Sequence, residues 1–375
     1  MKIDKLYFEN NNWILDENKE CDSNSVDIVF VFGDIEVLKN FNHTLLLKKI
    51  YPNAHIVGSS SSANILDDGI SDYGAVATAV SFETGKVKVS TKLLNSENLQ
   101  EDAKSLLNNL DQDNLKHIFV ITKGLETDGS EFVKGLSTNK ATTITGGLAA
   151  DGNLFKETYV FADERDEPNL AVAVGFYGDS IHVGIGCKAG WEEFGASRIV
   201  TKAIGNTIYE IDDKPVMELY ERYLGDYIKD LPASGLNFPL SVKTNSDDKN
   251  EVIRVIMGIN EDKSMVFAGD IIEGSEVRLM KTNVNNLIDG AALVADIIEP
   301  YNDKRSLALT VSCSGRLSVL KQLASEEIDA MHDIFSENTQ IIGFYSYGEI
   351  APFSNDLLNC KLHNQTMTAT VIYED

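Results

Sequence analysis

The sequence predicts an α/β protein: two packed domains with mixed β-sheets, built from repeated strand-helix-strand-strand units. Three observations carry that expectation. The chain has 375 residues, which makes two domains the default count. Apolar β-branched runs that end at glycine alternate with segments of helical period. The same order of elements then returns twice more along the chain.

In the first copy, Asp27-Ile-Val-Phe-Val-Phe32 ends at Gly33, a helical segment follows, and Ala54–Gly58 opens into Ser59–Ser62. Ala75–Phe82 and the alternating Lys86–Thr91 complete it. The second copy runs from His117–Thr122 and Gly124 through Thr143–Gly147 to Leu170–Phe176 and Ser180–Ile185. The third runs from Leu307–Ser312 and Gly315 through Gln340–Gly343 to Gln365–Tyr373.

The helical segments keep one apolar face. Arg316–Asn338 aligns Leu317, Leu320, Leu323, Ile328, Met331, Ile334 and Phe335, with a restart expected at Ser325. Asn283–Glu299 aligns Val284, Leu287, Ile288, Ala291, Val294, Ala295 and Ile298, and Pro300 stops it. Pro215 occupies a first-turn position ahead of Val216, Leu219, Tyr220 and Tyr223. A boundary is expected near residues 205–215, giving domains 25–210 and 211–375. The second of these opens on the strand-rich stretches Glu251–Met257, Ser264–Ala268 and Glu276–Met280.

Composition narrows the function classes. Lys and Arg total 33 against 58 for Asp and Glu, a net charge of −25. Such a surface repels phosphate backbones and anionic headgroups, so neither nucleic acid nor membrane insertion is expected. No apolar segment approaches the ~20 residues that span a bilayer, and Met1–Trp13 lacks the basic-then-apolar pattern of a secretory signal. Cys21, Cys187, Cys313 and Cys360 are scattered without a CxxC pair, which suits a reducing compartment. The expected location is cytoplasmic.

Several strings in fixed order are similar to the FIST family, whose members carry a FIST N-terminal domain followed by FIST C. They are Gly58–Ser62, Gly146-Gly-Leu-Ala-Ala-Asp151, Gly190-Trp-Glu-Glu-Phe-Gly195 with Gly205-Asn206, and Phe238-Pro-Leu240. Gly269–Gly274, Ser312-Cys-Ser-Gly-Arg316, Gly343–Ile350 and His363-Asn-Gln-Thr366 complete the set. Ser60–Ser62 stands where the family more usually continues Ser-Ala-Gly. The resemblance spans roughly residues 25–375 and implies a sensory, small-ligand-binding module of bacterial signal transduction. It also implies a partner such as a histidine kinase, a cyclic-dinucleotide enzyme or a chemotaxis component. No such segment is fused here, so output is expected to pass through a separate protein. Some members resemble haem-binding nitric oxide sensors, which makes haem b a possible cofactor.

The densest polar cluster in apolar surroundings is C-terminal: Cys313, Arg316, Tyr345, Tyr347, Glu349, His363 and Asn364. Strand ends of one unit converge at a common edge, where α/β proteins bind ligands. There Arg316 could clamp a carboxylate with two parallel bonds and Glu349 could receive an amine, which suits an amino acid or similar polar molecule. The structural alternative is an Arg316–Glu349 salt bridge tying helix to loop. Ser60 and Ser61, with Gly146 and Gly147, offer hydroxyls and amides of the kind that form anion-accepting turns; the same glycines also serve as plain turn residues.

Catalytic and metal motifs are sparse. His43, His55, His117, His182, His332 and His363 show no HExxH spacing, and Cys360-Lys-Leu-His363 lacks a second ligand pair. Cys313, His363 and Glu349 could make a thiol nucleophile, base and orienter, but a Cys after a buried strand is usually inert filler. Gly184–Ala189 fits GxGxxA without the helix that motif requires, and Gly147–Gly152 lacks the Lys-Ser/Thr of a P-loop.

Overall fold

The computed structural model describes residues 1–67, 69–71, 74–231, 233–244, 249–298 and 304–375. The threefold repetition becomes three four-stranded units. Unit 1 holds Lys2–Glu9, Ile28–Gly33, His55–Ser60 and Ala75–Ser81; unit 2 holds Lys86–Leu93, Leu115–Thr122, Thr143–Leu148 and Leu170–Tyr177. Unit 3 holds Ile181–Lys188, Ser306–Cys313, Thr339–Ser346 and Met367–Glu374. Within each, the spatial order is third, second, fourth, first strand. The second and third strands are parallel and the remaining pairs antiparallel. The alternating Lys86–Thr91 therefore opens the second unit rather than closing the first, and Ile181–Lys188 likewise opens the third.

Both faces of these sheets are covered, which is why their strands read as continuous apolar runs. Inward side chains of all three units meet in one core that includes Phe30, Phe32, Phe119, Ile121, Val311 and Phe344. Phe32 stacks on Phe344 with centroids 4.6 Å apart. Outward side chains pack beneath helices: Val29 and Val31 with Leu38 and Leu47, Ile118 and Val120 with Phe132 and Val133. Caps start those helices as the chemistry of orphan N–H groups requires. Asp34 accepts from Glu36 and Val37, Asp128 from Glu131, and Asn283 from Asn286. The helix Val284–Asp296 follows its predicted face; Glu299 and Pro300 lie outside the described residues. The predicted break before Ser325 is a 3-10 turn at Lys321–Leu323, flanked by helices Ser314–Leu320 and Ser325–His332.

The units also trade strands in a ring. After its third strand, unit 1 sends Asn64–Leu66 to pair with Thr339–Ser346 of unit 3. Unit 3 sends Gly348–Phe353, with its hairpin partner Asp356–His363, to Thr143–Leu148 of unit 2. Unit 2 sends Val160–Ala162 to His55–Ser60 of unit 1.

A second body is inserted between the first strand and first helix of unit 3. Its sheet runs Val252–Arg254, Leu240–Lys243, Glu276–Lys281, Glu192–Ile204, Thr207–Ile211, Met265–Phe267 and Ile256–Ile259, with Lys214–Pro215 beside Thr207–Ile211. The two ends of that order are separated in the chain by Val255 alone, so the sheet curls round on itself over the helix Val216–Leu224 and its own apolar core. The stretch 205–215, expected as a domain boundary, lies inside this sheet. Gly184 and Gly186, the decoy motif, belong to a strand where a Cβ would strike Ile298 and the backbone of Val294; they admit a helix, not a nucleotide.

Candidate functional site

The third strands end close together, and backbone bonds tie each to the next unit. Ala150 N–H donates to Ser60 O at 3.1 Å, Tyr347 N–H to Leu148 O at 3.1 Å, and Ser62 N–H to Tyr345 O at 3.0 Å. The residues expected to form anion-accepting turns serve this junction. Ser60 Oγ accepts from Tyr159 N–H at 2.9 Å, and Ser61 Oγ donates to Asn64 Oδ1. Gly146 and Gly147 lie within the strand, not in a turn. A Cβ on the first would strike Val120 O of the paired strand in its own sheet, and on the second it would meet Val311 of the unit 3 sheet at 2.7 Å, so the first permits strand pairing and the second close packing of sheets. The turn beyond them is already filled: Asp151 accepts from Phe155, Lys156 and Glu157 N–H and from the Tyr347 hydroxyl.

Arg316 is fully buried and bonded to Glu327, not Glu349. Its Nε and Nη2 donate to Glu327 Oε2 at 3.0 and 2.7 Å, and Nη1 and Nη2 donate to the carbonyls of Ala189 and Leu287. Glu327 Oε1 accepts from the Tyr345 hydroxyl at 2.6 Å and from Ser312 Oγ at 2.9 Å. Burial and the adjacent Glu327 push the Tyr345 phenol far above its ordinary range. This network holds helix to strand and presents no clamp to a guest.

Glu349 and His363 face each other in register on neighbouring strands. Glu349 accepts from Ser346 Oγ, Thr366 N–H and Thr366 Oγ, and burial raises its carboxyl to about 7. His363 Nε2 bonds to Ala351 O at 3.0 Å, and burial pulls the imidazole down to about 4. Cys313 is buried, with its thiol pushed far up by desolvation and by Glu349. A thiolate-based mechanism through Cys313 and His363 therefore lacks both its ionised nucleophile and a base free to activate it.

A haem held through histidine needs an imidazole open toward an apolar slot. His363 bonds Ala351, His55 bonds Asp163, His117 lies between Thr143 and Thr145, and His182 sits 2.6 Å from Asp375. His332 borders a recess with Lys5, Glu20 and Arg305. His43 borders a cleft that presents Asp163, Glu164 and Asp166, like charges to haem propionates. The surroundings of these imidazoles do not fit an axial role toward haem. Among the described residues no three His, Cys, Asp or Glu side chains gather as a metal site would require.

The cavity nearest the predicted cluster lies behind it, where the inserted sheet meets unit 2 and the hairpin donated by unit 3. This groove of about 470 Å³ is lined by Lys134, Arg254, Asp270, Asp356, Asn359 and Lys361, among others. Lys134 Nζ reaches across it to Asp270 Oδ2 at 2.7 Å. Arg254 spans the seam: Nη1 donates to Leu362 O at 3.1 Å and Asn364 Oδ1 at 3.3 Å, and Nε to Asp270 O at 3.3 Å. Burial pulls its guanidinium down to about 10. Gly269 makes this possible, because a Cβ there would lie 2.8 Å from Arg254 Nε. Of the predicted residues only Asn364 touches Arg254 directly, with His363 and Glu349 beside it. The signal that could have found Arg254 is a lone cation inside the apolar run Val252-Ile-Arg-Val-Ile256.

Comparison with known proteins places two family models on the chain: FIST N domain over residues 27–214 and FIST C domain over 217–352. The seam between the two models falls within the inserted sheet. An uncharacterized protein of Methanocaldococcus jannaschii is 25% identical over 256 residues, 62% of this chain; the match spans 48% of that protein's own length. Among solved structures, a cyanuric acid hydrolase from A. caulinodans is similar at a TM-score of 0.36 and 7% identity, over 93% of this chain and 90% of that one. That likeness is too weak to bear on fold or activity.

Proposed function

The chain belongs to the FIST family, whose domains are sensory-type modules of signal transduction, and on that premise we propose that the groove beside Arg254 is its ligand site. The occupant is a small polar molecule carrying both charges, an amino acid or similar metabolite, and its presence is relayed to a separate signalling protein such as a histidine kinase. One observation carries the reading: a groove lined by both Lys361 and Asp356, Lys134 and Asp270, bounded on one side by the inserted sheet and on the other by the three-unit core. A guest held by both walls favours one relative arrangement of the two bodies, and occupancy becomes a population shift that a partner can read.

Thermal unfolding of the whole chain against a panel of amino acids tests this. At least one is expected to raise the midpoint by mass action. Lys361→Glu, which reverses a charge at the groove's rim, abolishes that rise and leaves the unliganded midpoint unchanged. A panel without response, or an equal response in wild type and variant, overturns the assignment.

A further inference from the structure

The Arg254 groove lies between the helix Gly129–Leu136 of unit 2 and strands donated by unit 3. Unit 1 repeats that construction. Its helices Ile35–Asn40 and His43–Lys48 face the segment of unit 2 that follows the donated strand Val160–Ala162. Between them lies a cleft of about 630 Å³. The two differ in chemistry. Three aromatic rings, Phe41, Tyr159 and Phe161, line the unit 1 cleft, together with the carboxylates of Asp163, Glu164 and Asp166.

Its own cations are already engaged. Lys39 pairs with Glu157 at 2.7 Å and Lys48 with Asp163 at 3.4 Å. Among the described residues no ammonium or guanidinium pairs with Glu164 or Asp166; Asp166 accepts only the Tyr159 hydroxyl, at 3.1 Å. His43, 3% exposed, also lines the cleft. Its Nε2 is bonded to Val37 O, which leaves Nδ1 as a buried atom without a protein partner among the described residues. Burial keeps this imidazole neutral by pulling its pKa below the usual value. Nε2 then carries the proton that the carbonyl requires, and Nδ1 is a bare acceptor.

We propose that this cleft is a second ligand site, and that it takes an organic cation: a quaternary ammonium or protonated amine seated against the rings of Tyr159, Phe161 and Phe41 with its charge toward Asp166 and Glu164. Aromatic faces attract such cations through the ring quadrupole, and nearby carboxylates add to it. The inference is independent of the Arg254 groove.

The test is titration of the full-length ¹⁵N-labelled protein with choline and, in parallel, with 3,3-dimethylbutan-1-ol, its neutral carbon isostere. Choline is expected to shift the amide signals of residues 38–48 and 159–166, and the isostere to leave them in place. Asp166→Asn, an exposed substitution, weakens choline about threefold or more, and Tyr159→Leu about tenfold. Folding of the second is checked by its unaltered signals in unit 3. Equal shifts from the neutral isostere would reveal an apolar slot and overturn the proposal. So would an absence of shifts with choline, shifts confined to the Arg254 groove, or a wild-type affinity in Asp166→Asn.

Discussion

Arg316 and Arg254 are both buried, and they show what separates a cohesive charge from a receptive one. Arg316 is completed from within: a carboxylate, Glu327, accepts two of its bonds, and Tyr345 and Ser312 satisfy the far oxygen. Among the described residues Arg254 donates only to neutral acceptors, namely the carbonyls of Ile253, Leu362 and Asp270 and the amide oxygen of Asn364. Among the described residues no carboxylate lies within salt-bridge distance of it, and burial depresses its pKa. An anionic group entering the groove would supply what Glu327 supplies to Arg316. The strand ends, where ligands of α/β folds are sought first, are here consumed by ties between units. The receptive charges lie at the margins, where a strand donated by one unit meets the helix of another.

The sharpest way to break this contrast is to remove each arginine. Arg316→Ala leaves Glu327 buried without its cation, which costs about 3–5 kcal/mol. Urea unfolding is expected to show a lowered midpoint at unchanged slope. Arg254→Ala removes a buried charge and orphans only neutral acceptors, so its cost is smaller, about 1–3 kcal/mol, while the ligand response is lost. If Arg254→Ala proved the more destabilising of the two, the assignment of roles would be reversed.

A second experiment uses Glu349, which interacts electrostatically with both arginines. Its carboxyl is raised from 4.5 to about 7, chiefly by burial. A raised acid holds its proton more tightly in the folded state. Its contribution is therefore whole below the unfolded value and is lost as pH climbs through 7. His363, lowered from 6.5 to about 4 by burial, works oppositely: its contribution is whole above 6.5 and is lost as pH falls through 4. Glu349→Gln removes only the first. Its stability relative to wild type should rise between about pH 5 and pH 8, by up to ~3 kcal/mol. Parallel stability curves for the two proteins would show that Glu349 does not titrate in this window.

Much of the fold was legible because repetition and period survive without knowledge of contacts. The second, third and fourth strands of each unit, the helix that begins at Asn283 and the restart at Ser325 all follow from side-chain pattern. Strand exchange was not legible, because Asn64–Leu66 and Val160–Ala162 are three residues long and too short to show a period. Of the inserted sheet, the strands within 251–257, 264–268 and 276–280 follow from the sequence, but its long strand Glu192–Ile204 does not: it is largely exposed and irregular in register, so its alternation is blurred. The polar cluster is recognisable as a set of buried groups, but Arg316 finds its carboxylate in Glu327, neither in a guest nor in Glu349. Glu327 lies in a different helix, beyond the 3-10 turn at Lys321–Leu323, and helical spacing cannot pair residues across such a break. Arg254 is hard to single out because the apolar run Val252–Ile256 gives its one cation no company in sequence. Its partners come from residues 362–364 and 270.

The smallest expected effect concerns Lys134 and Asp270, which join unit 2 to the inserted body across the groove. Lys134 is half exposed and also bonded to Glu131, so their coupling in a double-mutant cycle should be about 0.5 kcal/mol without ligand. A sensor whose two bodies shift on binding needs such a weak link, because a strong one would fix the arrangement before any guest arrived. A bound guest that bridges both walls adds its own contacts and should raise the measured coupling between Lys134→Ala and Asp270→Asn. A coupling near 2 kcal/mol in the free protein would instead describe a latch. The groove would then be a rigid seam, and the contrast between cohesive and receptive charges would rest on Arg254 alone.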